Sequence, residues 1–330
     1  MTNKQESSRT FATCVEFPLF RAYESSRQRV NNGTMALLAG SKLALHTLQL
    51  TKGSELLLPE IFPGVDHIRK FNLTTEDANE ILLDAANHLG AVTIPYVLAI
   101  HTNFVMETLK MLEGLGYPNK ARGNKADLTK NDVNTSNMHE AVHLSLGMPP
   151  FAARSIPTEY ELFDVLRAMR NSLIHAGGRV TSDLKATVRG MSSNAKGDWL
   201  RLARRDASTI ILDNPIRITT NEIFTTFAVT KKVGRTLNAV LQTGISTSQW
   251  ARICVDDFDD QTSKFVRSDP WARSLLAYGA QYYAGAKLDE AALLGAAEAL
   301  GYWDASREIP PRRSVRLASI ENSKTANSIQ

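Results

Sequence analysis

Apolar residues recur at helical spacing along most of this chain from about residue 74 onward. The pattern is clearest in the segment 158–176, where they follow one another at intervals of four and three residues: Leu162, Leu166, Met169, Leu173 and Ala176. At about 100° per residue, these side chains form one narrow stripe along a helix that packs into a core. The spacing therefore predicts a mainly α protein, with this helix running from Thr158 to Ala176.

The same spacing divides the 330 residues into four regions. Residues 1–73 have no clear period, residues 74–243 are predicted as a central helical domain, residues 244–303 as a C-terminal helical region and residues 304–330 as a flexible tail. Within the central domain we expect a long polar loop at 117–136, a short helix at 137–146 and a helix at 221–243. A helix, a loop and a second helix are expected at 181–205. The best strand candidate is Thr209–Asp213.

Composition narrows the class of protein. Hydrophobic residues make up 43% of the chain and charged residues 22%, which excludes wholesale disorder. The longest apolar run covers residues 91–100 and contains Pro95, whereas a membrane span needs about 20 residues. The first residues are polar where a secretory signal would be apolar, and the two cysteines have no CxxC companion. We therefore expect a cytoplasmic protein with no membrane segment and no disulfide.

Basic residues are concentrated in one part of the chain. The net charge is only +4, but the segment 166–205 carries nine basic residues against two acidic ones. Its net charge is 9 − 2 = +7, which leaves −3 for the other residues. Such a local cationic surface is typical of a protein that binds a nucleic-acid backbone, although an ordinary solvated face has the same composition.

The helix predicted at 158–176 also carries a distinct polar face. Three residues follow at intervals of four on the side opposite the apolar stripe: Arg167, Asn171 and His175. Arg170 lies at the flank of the stripe, and glycines at 177 and 178 end the helix. By chance, Arg followed by His after four intervening residues is expected about 0.5 times in this composition, and requiring Asn directly after the Arg lowers that to about 0.03. Arg170, Asn171 and His175 are therefore candidate functional residues.

The motif Arg170-Asn171-Ser172-Leu173-Ile174-His175, with its Gly-rich continuation to Arg179, resembles the signature of the HEPN family (higher eukaryotes and prokaryotes nucleotide-binding domains). The resemblance covers residues 74–243, about half of the chain. It implies an all-α bundle, a homodimer that brings two motifs together and, in many members, metal-independent cleavage of RNA. Toxins and phage-defence effectors occur in the family, which implies an antitoxin or regulatory protein as a further partner. Several members have lost catalysis and bind RNA, a nucleotide or a protein.

The chemistry of the motif fits that activity. Cleavage of RNA by its own 2′-hydroxyl needs one group that moves a proton and one that stabilises charge on the phosphate. A histidine such as His175 suits the first role near neutral pH. The planar donor fork of Arg170 suits the second, with Asn171 orienting either group. The reaction needs no cofactor and no metal. The alternative is a helix with an ordinary polar face, on which His175 caps the last carbonyls.

Geometry and charge add two further expectations. On an ideal helix, Arg170 and His175 project about 140° apart. Either a symmetric dimer or fraying of the helix at Gly177 would bring them together, and we expect a two-fold dimer whose interface includes the 158–176 helix. Four basic side chains are expected to hold RNA: Arg167, Arg179, Lys185 and Arg189. Trp199, within the basic segment, would either stack on a base or lie in the core.

A second motif, His139-Glu140-Ala141-Val142-His143, has the HExxH spacing of zinc peptidases. On a helix this spacing puts two histidines one turn apart for zinc and a glutamate beside the metal-bound water. The metzincin continuation is missing, so Glu159 or Glu161 would have to supply a third ligand. Prolines at 149 and 150 end the motif helix early. A zinc metallopeptidase is therefore an alternative to the ribonuclease, and a pair of core or interface histidines is the other. The remaining histidines, among them His101, are expected to be structural.

Overall fold

The structure is a computed structural model that describes residues 14–50, 56–64, 73–119, 138–151, 156–262 and 268–303. Within these ranges the chain forms twelve α-helices and no strand, so the prediction of a mainly α protein is confirmed. The helices are α1 Pro18–Gln49, α2 Leu58–Ile61, α3 Thr75–Leu83, α4 Ala85–Gly114, α5 Met138–Ser145, α6 Thr158–His175, α7 Ser182–Gly190, α8 Ser193–Ala203, α9 Thr220–Gly244, α10 Thr247–Gln261, α11 Asp269–Tyr282 and α12 Glu290–Ala299. Most of the loop predicted at 117–136, and the predicted tail, lie outside the described residues.

Local sequence signals mark where several helices begin. The side chains of Thr74, Thr181 and Ser192 each accept a hydrogen bond from a main-chain N–H three residues further on, at the starts of α3, α7 and α8. Thr219 begins α9 with Glu222, whose carboxylate accepts from the Thr219 main-chain N–H at 2.9 Å. These caps satisfy main-chain donors that the first turn of a helix leaves unpaired.

The chain divides into two compact units, residues 1–246 and residues 247–330. In the first unit α1, α4, α6 and α9 pack against one another, and α7 and α8 also pack on α6. The Tyr23 hydroxyl of α1 donates to the Thr230 carbonyl oxygen of α9 at 2.6 Å. The Asn238 amide of α9 binds the main chain of Val15 through two hydrogen bonds, of 2.7 and 3.1 Å. Residues 18–49 therefore share a core with the helices after residue 74, although the sequence pattern set residues 1–73 apart.

The second unit has a core of its own, formed by α10, α11 and α12. Trp250, Trp271 and Tyr283 are fully buried in it. The buried carboxylate of Asp257 accepts hydrogen bonds from the hydroxyls of Tyr278 and Tyr283, at 2.9 and 2.7 Å. These bonds compensate the charge of a carboxylate that has been removed from water.

The prediction of a strand at Thr209–Asp213 was wrong. Residues Ala207–Ile211 form a 3-10 helix, which begins where the Asp206 carboxylate accepts the Ser208 main-chain N–H at 2.8 Å. Ala207 and Ile210 are buried there, three residues apart on one side of the turn. Capping and burial therefore override the β propensity of the isoleucines and threonine.

One described helix, α4, is long and apolar enough to cross a membrane by length and composition alone. Pro95 lies inside it without ending it, so the apolar segment is longer than the ten-residue run in the sequence. Core helices pass the same test, and 44% of the most apolar part of α4 is buried inside the protein. Its buried residues face α1, α5, α6 and α9.

Candidate active site

The candidate catalytic motif lies at the C-terminal end of α6. This helix is packed against α4, α7, α8 and α9, and it buries residues 159, 160, 162, 163, 165, 166, 168, 169 and 172. The buried surface is therefore wider than the single stripe predicted from the sequence. The exposed residues of α6 are Ile174 and His175, at its end.

Two glycines end the helix and turn the chain. Gly177 and Gly178 have φ values of +60° and +81°, in the left-handed region that favours glycine. The Ser172 carbonyl oxygen accepts the main-chain N–H groups of Ala176 and Gly178, at 3.2 and 2.9 Å. This arrangement satisfies a carbonyl at the end of the helix and fixes where His175 stands.

The three motif side chains contact one another within one chain. Arg170 Nη1 donates to Asn171 Oδ1 at 3.0 Å, and the same nitrogen lies 3.3 Å from His175 Nε2. Because a guanidinium can only donate, Nε2 is the acceptor, and the proton of the neutral imidazole lies on Nδ1. A donor fork and an imidazole therefore stand side by side at the exposed end of α6.

The angle between Arg170 and His175 does not require a dimer, because the two side chains meet within one chain; a dimer at this helix stays a prediction. The angle of about 140° relates the directions in which the Cα–Cβ bonds of Arg170 and His175 leave the helix. The long Arg170 side chain reaches across that angle. Its Nη1 atom lies 3.3 Å from Nε2 of His175, which is the last residue of α6. The two groups meet without a second chain.

A distant segment holds the turn that follows the motif. The Asn214 Oδ1 atom accepts the Val180 main-chain N–H at 3.2 Å, and the Ile216 main-chain N–H donates to the Gly178 carbonyl oxygen at 2.8 Å. The hydroxyls of Ser172 and Thr181 lie 3.0 Å apart across the same turn. The end of α6 is thus fixed from both sides of the glycine pair.

Three of the four predicted RNA contacts remain available. Arg179 follows the glycine pair, and Lys185 and Arg189 stand one turn apart on α7, which packs against α6. All three side chains are exposed, and none forms an ion pair with another residue in the part of the chain that the structure describes. Their charges are free to meet an anion.

Other residues of the basic segment are used differently. Arg167 is largely buried and lies 3.4 Å from Asp164, instead of sharing the exposed face with His175. Arg205 pairs at 2.5 Å with Glu222, which is fully buried, and donates to a main-chain carbonyl oxygen. Trp199 is fully buried in the core, so it cannot stack on a base. The segment 166–205 therefore exposes less positive charge than its net charge of +7 indicates.

The HExxH residues lie on α5 and have separate partners. His143 Nε2 lies 3.1 Å from the Tyr160 hydroxyl, and His139 Nε2 lies 2.8 Å from His101 Nε2. The Glu140 carboxylate accepts a main-chain N–H from the segment after α5 at 2.7 Å. Both histidines of the motif are buried, as expected for core histidines.

Glu159 and Glu161, the two candidates for a third zinc ligand, have other partners. Glu159 accepts from the Thr236 hydroxyl at 2.5 Å and pairs with Lys232 at 3.2 Å. Glu161 accepts from the main-chain N–H and the hydroxyl of Ser192, at 2.7 and 2.8 Å. Among the described residues, no group of three or more His, Cys, Asp or Glu side chains is arranged to hold a metal ion. The geometry therefore gives the zinc alternative no support.

A buried polar chain that the sequence did not reveal connects α1, α4, α5 and α9. Since the Tyr23 hydroxyl donates to the Thr230 carbonyl, its oxygen accepts from His101 Nδ1, 2.9 Å away. His101 Nε2 then accepts from His139 Nε2. Burial lowers the pKa of His101 to about 3, and burial with the neighbouring His101 lowers the pKa of His139. The partners lie 38 and 78 residues apart along the chain, a separation at which no local pattern links them.

The candidate active site thus consists of Arg170, Asn171 and His175, with the exposed cations Arg179 and Lys185 on the segment that follows. Its definition rests on the contacts among these side chains and on the turn that holds them. Comparisons with protein-family models, with curated proteins and with solved structures give no match to this chain.

Proposed function

We propose that the protein is a metal-independent endoribonuclease of the HEPN type, acting at Arg170, Asn171 and His175. The observation that carries this proposal is the 3.3 Å approach of Arg170 Nη1 to His175 Nε2 at the exposed end of α6. A cation that can hold a phosphate stands beside an imidazole that can take a proton. The resemblance of the motif to the HEPN signature supports the same assignment.

Each motif residue has a separate task in the proposed reaction. An RNA phosphate draws the Arg170 guanidinium away from His175, because a charged acceptor binds it more strongly than a neutral imidazole. His175 Nε2 is then free to accept the proton of the 2′-hydroxyl, whose oxygen forms a bond to phosphorus while the bond to the 5′-oxygen breaks. Water supplies the proton that the departing 5′-oxygen takes up. Asn171 orients the guanidinium by accepting a hydrogen bond from it through its side-chain oxygen.

Exposed cations extend the binding surface beyond the motif. Arg179, Lys185 and Arg189 are proposed to hold the phosphates flanking the cleaved bond, since they carry no counter-charge among the described residues. We leave Arg167 out of this set because it is largely buried beside Asp164. The proposal requires no cofactor. A role as a toxin or defence effector, with an antitoxin or regulatory protein as partner, rests on the resemblance alone.

The decisive experiment is cleavage of single-stranded RNA in excess chelator, with the same sequence as DNA for comparison. The protein should cut the RNA and leave the DNA intact, because DNA lacks the attacking 2′-hydroxyl. Arg170→Ala should lower the cleavage rate about a hundredfold to a thousandfold, as for loss of one donor to a developing negative charge. His175→Ala should lower it by a similar factor or more. The matched control is His88→Ala, which removes an exposed histidine of the same unit.

The same assay tests a second candidate function, an RNA-binding protein without catalysis. One observation favours it: the His175 lone pair is already occupied by Arg170. RNA binding without cleavage, weakened by Arg170→Ala and by raised salt, would assign the site to binding. Cleavage that disappears with the chelator would contradict the metal-independent mechanism.

A further inference from the structure

A polar cavity lies between α1 and α9, on the side of the first unit where the chain enters α1. Its volume is about 570 Å³, within the range of about 300–1,000 Å³ that small-molecule sites occupy. One wall is a face of α1, on which polar residues recur at intervals of four and three: Arg21, Ser25, Gln28 and Asn32. Arg235 of α9 and Cys14, which precedes α1, also line the cavity. Polar side chains from separate parts of the chain therefore converge on one space.

The charge of this cavity is positive. Three arginines line it: Arg21, Arg29 and Arg235. Of the two carboxylates in the lining, that of Glu24 is paired at 2.8 Å with Arg27, a buried arginine of α1 that does not line the cavity. The other belongs to Glu16, which has no ion pair among the described residues. Three positive charges less one uncompensated negative charge leave the cavity with a net charge of +2.

Several side chains at the cavity have hydrogen-bonding groups to spare. Within the described ranges, four exposed residues of the α1 wall form no side-chain hydrogen bond or ion pair: Ser25, Gln28, Arg29 and Asn32. The guanidinium can only donate, whereas the hydroxyl and the amides both donate and accept. These groups suit an anion attached to a body that carries hydroxyl groups.

We propose that this cavity binds a small organic phosphate. A phosphate monoester carries a charge of about −1.5 to −2 at neutral pH, which matches the net charge of the lining. Guanidinium groups suit its oxygens, because the planar fork of each donates to two oxygens at once. The cavity is larger than a phosphate group alone, so the rest of the ligand contacts the amides of Gln28 and Asn32 and the hydroxyl of Ser25.

The cavity is separate from the candidate active site. Arg235 is followed by Thr236, whose hydroxyl binds Glu159 in the first turn of α6. Arg170 lies eleven residues further along the same helix, a rise of about 16 Å, and His175 is at its end. The proposal therefore does not rest on the proposed ribonuclease activity, and an experiment without RNA tests it.

Isothermal titration calorimetry of the full-length protein with ribose 5-phosphate, inorganic phosphate and ribose measures the binding. Ribose 5-phosphate should bind more tightly than inorganic phosphate, and ribose should not bind. Arg29→Ala and Arg235→Ala should each raise the dissociation constant for ribose 5-phosphate at least about tenfold, the usual effect of losing a hydrogen bond to a charged group. Gln28→Glu should have a similar effect, because it adds a carboxylate without changing the length of the side chain.

The matched control is Arg201→Ala, which removes an exposed arginine of α8 that does not line the cavity. This variant should bind ribose 5-phosphate as the wild-type protein does. All four variants should keep the wild-type circular dichroism spectrum and melting temperature.

Labelling of Cys14 gives a second readout, which reports where the ligand binds. Cys14 is half-buried in the cavity lining, whereas Cys254, the other cysteine, is fully buried in the second unit. Burial raises the pKa of the Cys14 thiol, so its reaction with a maleimide is followed at about pH 8.5, where more thiolate is present. Saturating ribose 5-phosphate should slow the reaction at least about fivefold, and ribose should leave it unchanged.

The proposal would be overturned if neither phosphate bound, if the cavity variants bound as the wild-type protein does, or if binding left the labelling of Cys14 unchanged. Equal affinity for inorganic phosphate would assign the cavity to the free ion and contradict an organic ligand. Protection of Cys14 by an RNA oligonucleotide, with none by ribose 5-phosphate, would assign the surface to nucleic acid and equally overturn the proposal.

Discussion

At the residue scale, the reach of one arginine decides how the candidate active site is built. Arg170 contacts both Asn171 and His175 through a single nitrogen, Nη1, so the other N–H groups of its planar fork are available to a phosphate. A lysine carries the same charge but offers a single ammonium with no planar fork. A lysine at position 170 therefore separates the effect of the positive charge from the effect of the donor geometry.

We expect Arg170→Lys to keep RNA binding close to that of the wild-type protein, because the phosphate still meets a positive charge. The cleavage rate should fall about tenfold to a hundredfold, since an ammonium stabilises the transition state less well than a positioned donor fork. Binding by fluorescence anisotropy and single-turnover cleavage distinguish the two effects. Equal losses of binding and cleavage would contradict the division of roles.

The buried histidines make stability depend on pH. His101 is held neutral because burial lowers its pKa to about 3, whereas an unfolded histidine titrates near 6.5. Below pH 6.5 the unfolded chain therefore binds a proton that the folded chain does not. The stability is complete above this pH and is lost as the pH falls towards 3, by up to about 1.4 kcal/mol per pH unit for this group.

Thermal unfolding of the wild-type protein and of His101→Gln, between pH 7.5 and pH 5, measures this contribution. The variant retains hydrogen-bonding groups but cannot titrate, so its melting temperature should fall less steeply with decreasing pH. His139, whose pKa is also lowered, should maintain part of the slope in the variant. Identical slopes for the two proteins would show that His101 makes no contribution.

The sequence alone indicates functional residues that lie on one helix, but it does not indicate contacts between side chains of different helices. Arg170, Asn171 and His175 could be singled out together because they lie on one helix. The pairing of His101 with His139 joins α4 to α5, and no spacing in the sequence indicates it. Arg167 was assigned to the exposed face because the sequence does not show how much of the α6 surface other helices cover.

At the element scale, the end of α6 depends on a glycine that no other residue replaces easily. Gly178 has a φ of +81°, and a Cβ there would lie 3.4 Å from Pro215 Cβ. Gly178→Ala should therefore lower the free energy of unfolding by about 1–2 kcal/mol, the cost of left-handed backbone for an L-residue. Denaturant unfolding with a two-state fit measures the change.

The matched control is Gly197→Ala, in the interior of α8. A Cβ at this position meets no atom within 4 Å, and its backbone is helical. Alanine should raise the free energy of unfolding there by up to about 1 kcal/mol, because it restricts the unfolded chain and favours the helix. Changes of the same sign at the two glycines would contradict this account of the turn.

Two elements show why local patterns misjudge some segments. The first is α1, whose buried residues include the polar Arg27 and Thr34 while Leu37 and Leu43 are exposed, so it lacks the purely apolar stripe by which helices are recognised. The second is the segment around Thr209, where β-branched residues favoured a strand. Packing against α7 and a cap from Asp206 decide its structure instead. Tertiary contacts override propensity in both cases.

At the scale of the whole molecule, the last turns of α9 close the first unit. The Asn238 amide binds the main chain of Val15 from both sides, and Leu237 and Leu241 are fully buried. The carbonyl oxygen of Gly244 accepts the Tyr117 hydroxyl at 3.0 Å. These contacts tie the beginning of the described chain to residues just before the division at Ser246.

A chain that ends at Ser246 should therefore fold by itself, because it retains every one of these contacts. We expect a helical circular dichroism spectrum, a cooperative thermal transition and the RNA cleavage rate of the full-length protein. A chain that ends at Thr236 is the matched control, and it should be largely unfolded because it lacks Leu237, Asn238 and Leu241 from the core. If the chain ending at Ser246 fails to fold, or folds but no longer cleaves RNA that the full-length protein cleaves, then residues 247–330 contribute to the first unit or to its site.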